Sequence, residues 1–104
     1  MPDFIFAYHG GKPPDTPEEG EKAMAAWMAW FKSMGEATKQ PGHPVGMSKT
    51  VSGSGIADNG GANPLSGYSV VTAADIGAAC EMARGCPMVV DGSGTVEVAE
   101  LMEM

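Results

Sequence analysis

The chain has little positive charge. Six Lys and Arg stand against thirteen Asp and Glu in 104 residues, a formal net charge of −7. The six cations, Lys12, Lys22, Lys32, Lys39, Lys49 and Arg84, are scattered singly along the chain. Wrapping a phosphate backbone needs Lys and Arg gathered on one surface, so nucleic acid is not an expected partner. Cysteine is nearly absent: Cys80 and Cys86 are six apart, without the Cys-x-x-Cys spacing of redox and metal motifs. Reduced thiols in a cytoplasmic protein are the simpler reading. No run approaches the ~20 apolar residues of a membrane-spanning helix. The opening "MPDFIFAYHG" carries neither a basic leader nor a cleavage pattern. The expectation is a cytoplasmic protein with no membrane partner.

What is present suits one folded domain over residues 1–104, since a domain takes ~100 to 150 residues. Hydrophobic residues make up 43% of the chain and charged ones 18%, a folded composition. A chain of this size buries only about 65% of its unfolded surface, which makes association a natural source of further burial.

The pattern along the chain alternates strands and helices. "FIFAY", residues 4–8, reads as a strand. Thr16, Pro17 and Glu19 spell a helix start, with Thr16 as N-cap, Pro17 in the first helical position and Glu19 completing a capping box. Ala23, Met24, Trp27, Trp30, Phe31 and Met34 then recur at three- and four-residue steps, predicting an amphipathic helix of about five turns whose end Gly35 marks. "MSKTVSG", residues 47–53, alternates like a second strand. The stretch "ADNGGANPLSGY" connects it to a third strand over residues 67–73. A second helix follows, capped near Thr72 or Ala73 with Asp75 in its first turn, ended by Gly85 and kept from resuming by Pro87. Asp91-Gly92 reads as a turn before a last strand over residues 95–102. The order β-α-β-β-α-β predicts an α+β fold of the ferredoxin-like split β-α-β kind. Both alternating sets of the first strand are apolar near its centre, and two helices cover only one face of a sheet. A second copy is the simplest cover for the other face, predicting a homodimer with sheets face to face. Phe6 and Val98 are candidates for that interface.

Taken together, "MAAWMAWFKSMGE", "PGHPVGMSKTV", "GIADNGGANPLSGYSVV", "DIGAACEMARGCP" and "GTVEVAELM" resemble the YCII-related, or DGPF-domain, proteins over most of the chain. The resemblance implies a dimeric α+β barrel and activities such as a dehydrochlorinase-like or isomerase-like role on small carbonyl compounds. Two departures stand out. Asp58-Asn59-Gly60-Gly61 occupies the place of the Asp-Gly-Pro-Phe motif with its Pro and Phe missing, and the first helix has no His to form a His-Asp dyad.

Asp58 and His9 are the candidate proton carriers. Asp58 would serve as a general base if burial against the tryptophans raised its pKa; in its plain reading it makes a turn with Asn59. His9 stands at the end of the first strand, and imidazole is the side chain suited to moving a proton near neutral pH. Tyr8, Trp27, Trp30, Ser48, Lys49 and Tyr68 are the candidate ligand contacts, with the indoles as walls and Lys49 as the cation for an anionic substrate. His9, His43 and Asp58 share no ligand spacing, so no metal is expected. Gly53-x-Gly55 lacks the following helix of a nucleotide loop, and no cofactor is expected. Two functions stay open: an enzyme-like small-molecule protein acting on a carbonyl or lactone compound, and a non-catalytic binding or interaction module accessory to regulation or stress response.

Overall fold

A computed structural model describes residues 1–103. In β1 (Asp3–Gly10), Phe4, Phe6 and Tyr8 alternate with Ile5, Ala7 and His9, and the two-residue period of a strand sends all three large rings to one face. That face is buried, while the Ile5 side is half-covered. Helix α1 (Pro17–Met34) begins as its sequence predicts: Thr16 Oγ1 accepts from the Glu19 amide at 3.1 Å, and Glu19 reaches back to the Asp15 amide at 2.9 Å. Gly35, with φ of 57°, ends it.

A turn of 3-10 helix, Gly35–Ala37, leads into β2 (Thr38–Pro44). The strand expected at residues 47–53 is thus displaced. "TKQPGHP" looks like a loop because it is polar and carries two prolines, but β2 lies on the edge of the sheet, where a missing N–H costs no ladder bond. Its register with the next sheet strand slips twice between Thr38 and His43. Gly42 sits in this irregular stretch with φ of 73°, where any side chain would collide with the Tyr68 carbonyl.

Residues 50–52 are extended, yet they pair elsewhere. Strands β3 (Thr50–Ser52) and β4 (Gly55–Ala57) form their own hairpin with Val51 opposite Ile56. Next come β5 (Leu65–Thr72), α2 (Ile76–Ala83), α3 (Pro87–Val90) and β6 (Gly94–Glu100). Asp75 is itself the cap of α2, accepting from the Ala78 amide at 2.8 Å, rather than a first-turn residue. Pro87 opens a new short helix, as its fixed φ allows, and so brings Met88 into the core.

The main sheet runs β2-β5-β1-β6 with every neighbouring pair antiparallel. Together with the helices it makes an α+β domain. Phe4, Phe6, Tyr8 and Val71 from the sheet meet Trp30 of α1, Ala79 and Ala83 of α2, Cys86 and Met88 of α3 in one buried cluster. All three helices therefore cover the same face. Phe6 is fully buried under them and Val98 packs on that cluster, so neither residue lies on the face left for a second copy. Ile5, Ala7, Tyr68 and Val70 do, because the register aligns Ile5 with Val70 and Ala7 with Tyr68. Ala23 and Met24, expected inside, are exposed with the rest of residues 21–26; only from Trp27 onward does α1 reach the core. Among the described residues no helix is long and apolar enough to cross a membrane.

Candidate functional site

The aromatic candidates gather on the helix side. Tyr8 meets Trp27 edge-on at 5.0 Å between ring centres, Trp27 meets Trp30 at 5.6 Å, and Phe6 stacks on Trp30 at 6.0 Å. The Trp30 indole N–H donates to the Met82 carbonyl at 3.0 Å, tying α1 to α2. Tyr8 donates to Ser69 Oγ at 2.6 Å, and Ser69 donates to the Pro41 carbonyl at 2.5 Å, linking the sheet centre to its edge. Burial pushes the Tyr8 phenol well above its ordinary range, a shift the Ser69 bond opposes. Cys86 is raised as well, chiefly by burial. These groups are held neutral by packing, as core residues are. Beside them, an open cleft of about 480 Å³ runs between α1 and α2, lined by Trp30, Met34, Glu81, Met82 and Gly85 among others.

A second cleft, about 560 Å³, opens at the far end of β1. The glycine-rich end of β1 supplies Gly10 and Gly11; the segment after β2 supplies Val45 to Ser48; the connection from β4 to β5 supplies Asp58 to Gly60 and then Pro64 to Ser66. Ser48 and Asp58 are thus brought together. Lys49 stands beside them, its Nζ 3.1 Å from Asp58 Oδ1, in a pair whose side chains are 69% and 87% exposed. Asp58 is therefore not buried against the tryptophans; it is a solvent-facing acid on the cleft rim, already opposite a cation. Thr50 Oγ1 donates to the Asn59 carbonyl at 2.7 Å, and Asn59 Oδ1 accepts from the Gly61 amide at 2.9 Å, so Asn59 shapes the turn that presents Asp58.

His9 holds this loop from behind. Its Nδ1 faces the carbonyls of Asn63 at 3.0 Å and Pro64 at 3.2 Å, and its Nε2 faces Glu97 Oε1 at 2.9 Å. Carbonyl oxygens only accept, so Nδ1 is the donor toward the loop, while Nε2 lies against the Glu97 carboxylate. The ring, 12% exposed, is a clasp joining β1, β6 and the loop.

The sequence-predicted residues thus fall into three places. Tyr8, Trp27 and Trp30 belong to the core; Ser48 and Asp58 line the second cleft, with Lys49 paired to Asp58 beside it and His9 behind the loop. Tyr68 lies on the helix-free face, edge-on to His43 at 6.2 Å. Tyr8 and Tyr68 point to opposite faces of the sheet and do not share one cavity. Glu97 and Ser66 were missed by sequence reasoning. Glu97 follows from the register of β6, which places it opposite Ala7 on the face that His9 shares. Ser66 has a shielded hydroxyl with no hydrogen-bond partner among the described residues and stands on the cleft wall; nothing in "PLSGY" announces it. Among the described residues no three His, Cys, Asp or Glu side chains converge as a metal cluster. No protein-family model matches this chain, and no curated protein does.

Proposed function

We propose that the protein is a cytoplasmic, homodimeric small-molecule-binding protein of the YCII-related, ferredoxin-like kind, and that its ligand enters the cleft bounded by Gly10, Ser48, Asp58 and Ser66. The sheet order β2-β5-β1-β6, with a helix after the first and third sheet strands, supports the split β-α-β reading. The bare, half-apolar sheet face around Ile5, Ala7 and Val70 supports pairing of two copies as a dimeric α+β barrel. One observation carries the ligand site: Ser66, whose shielded hydroxyl has no partner among the described residues, stands on a concave wall with Ser48 and Asp58, and Lys49 pairs with Asp58 beside that wall. A buried polar group without a partner costs about 1–3 kcal/mol, which a ligand acceptor or donor would recover.

The ligand class that fits is a small carbonyl or lactone compound with an anionic group. Lys49 would turn from Asp58 to the anion, leaving Asp58 free to take a proton from the adjacent carbon. The alternative, a non-catalytic binding or interaction module accessory to regulation or stress response, draws support from the exposure of Asp58 and its existing partner. The test is a thermal-shift screen against small anions, lactones and keto acids. A ligand specific to the folded state stabilises by about 2.7 kcal/mol at a hundredfold excess over Kd. A stabilising compound whose effect disappears in Lys49→Ala and Ser66→Ala supports the cleft. Turnover of that compound lost in Asp58→Asn supports the enzyme, and binding without turnover supports the module.

A further inference from the structure

The hairpin of β3 and β4 packs chiefly on itself. Its cross-strand pair, Val51 and Ile56, shares one face and is 75% and 68% exposed, and Met47 on the stem is 98% exposed. An isolated two-stranded hairpin is at best marginally stable in water, so an apolar face of this kind needs cover. The whole chain shows the same shortfall. It exposes 7173 Å², whereas a compact monomer of 10.7 kDa exposes about 5,500 Å², leaving an excess of roughly 1,700 Å². Its radius of gyration is 14.8 Å against about 13 Å for a compact chain of this length. A stable pair of proteins needs to hide about 800 Å² on each partner, well within that excess.

Charge narrows the choice of partner. Residues 50–57, "TVSGSGIA", have no ionisable side chain, and the nearest charge before them is the cation Lys49. Two copies that each carry −7 repel one another least where such a stretch makes the contact.

We propose that the β3–β4 hairpin is an arm that docks on a second copy of this chain, burying Val51 and Ile56. The stem of the arm is Val45 to Ser48, one wall of the ligand cleft, so docking would fix that wall and make each cleft depend on both chains. The inference rests on the homodimer proposed above but assigns it a contact separate from the sheet face.

The test is sedimentation equilibrium on the wild-type chain, on Val51→Asp with Ile56→Asp, and on Val70→Asp. Because the arm side chains lie in solvent within one protomer, the double variant keeps the wild-type far-UV circular dichroism. Its dimer Kd rises by about tenfold or more, as for loss of a central apolar contact. A wild-type chain that is monomeric at every concentration overturns both the arm and the homodimer. An unchanged Kd in the double variant, alongside a raised Kd in Val70→Asp, overturns the arm alone. Trypsin provides a second measurement on the unaltered protein: cleavage after Lys49 slows as protein concentration rises, and a rate independent of concentration contradicts docking.

Discussion

On the helix side of the sheet, Phe6, Tyr8, Trp27 and Trp30 interlock with ring centres 5.0 to 6.4 Å apart, and the Tyr8 hydroxyl and Trp30 indole N–H end on Ser69 and Met82. At the end of the same strands, residues 45–66 turn through glycine, serine and asparagine, and nearly every side chain is exposed. The first region has its partners and excludes water. The second holds its shape by few bonds, from Thr50, Asn59 and His9, and leaves polar groups such as Ser66 free. Under the proposed function, stability and ligand binding are separated: a ligand is more easily gained where groups are unspent, and the aromatics that look like cavity walls in the sequence are committed to the core.

Substitutions should reveal this contrast in order of size. Trp30→Ala removes the indole at the centre of the helix side and costs about 3–5 kcal/mol, read as a lower urea midpoint. A loss below about 1 kcal/mol would mean that the aromatic cluster is not the core. Alkaline pH probes the same region. In Tyr8 and Cys86 the folded state holds the proton above the ordinary values of 10.0 and 9.0. Their contribution is full below those values and is lost as the unfolded chain ionises, so stability should begin to fall above pH 9 and fall faster above pH 10. Tyr8→Phe should flatten the steeper part; an unchanged profile would contradict the buried phenol.

Thiol reactivity sharpens the comparison further. Cys80 is exposed and Cys86 buried, both free. At neutral pH iodoacetamide should modify one thiol promptly and the second only on denaturation. Two prompt modifications would show that α3 does not seal the core. The smallest effect belongs to the cleft side: Lys49→Ala breaks only an exposed pair and should change stability by ~0.5 kcal/mol. A larger loss would make that pair structural and weaken its availability to a ligand.

Much of the scaffold was legible in the sequence because it rests on local chemistry. The Thr16-Pro17-Glu19 start, the alternation of β1 and the Asp91-Gly92 turn each specify their own element. β2 was illegible for a physical reason: its pairing is irregular, its position is an edge, and its two prolines and glycine are tolerated only there. Placing the second strand at residues 47–53 then absorbed the β3–β4 hairpin into a long loop. The candidate site was legible only in part. Ser48, Lys49 and Asp58 lie near one another, but from sequence alone they read as one cleft with the tryptophans and both tyrosines; which side of the sheet Tyr8 and Tyr68 face depends on register, and no local signal carries it. Exposure of Ala23 and Met24 is likewise not carried by the periodicity of α1, which meets the core only from Trp27 onward.

The central claim is that a ligand binds in the loop cleft and leaves the aromatic core untouched. The most direct measurement is amide chemical-shift mapping of the uniformly labelled protein, titrated with a compound that stabilises it. The account predicts shifts concentrated at Gly46 to Lys49 and at Asp58 to Ser66, with the Trp27 and Trp30 indole signals unmoved. Shifts centred on Trp30, Met82 and Gly85 would contradict it and move the site to the cleft between α1 and α2.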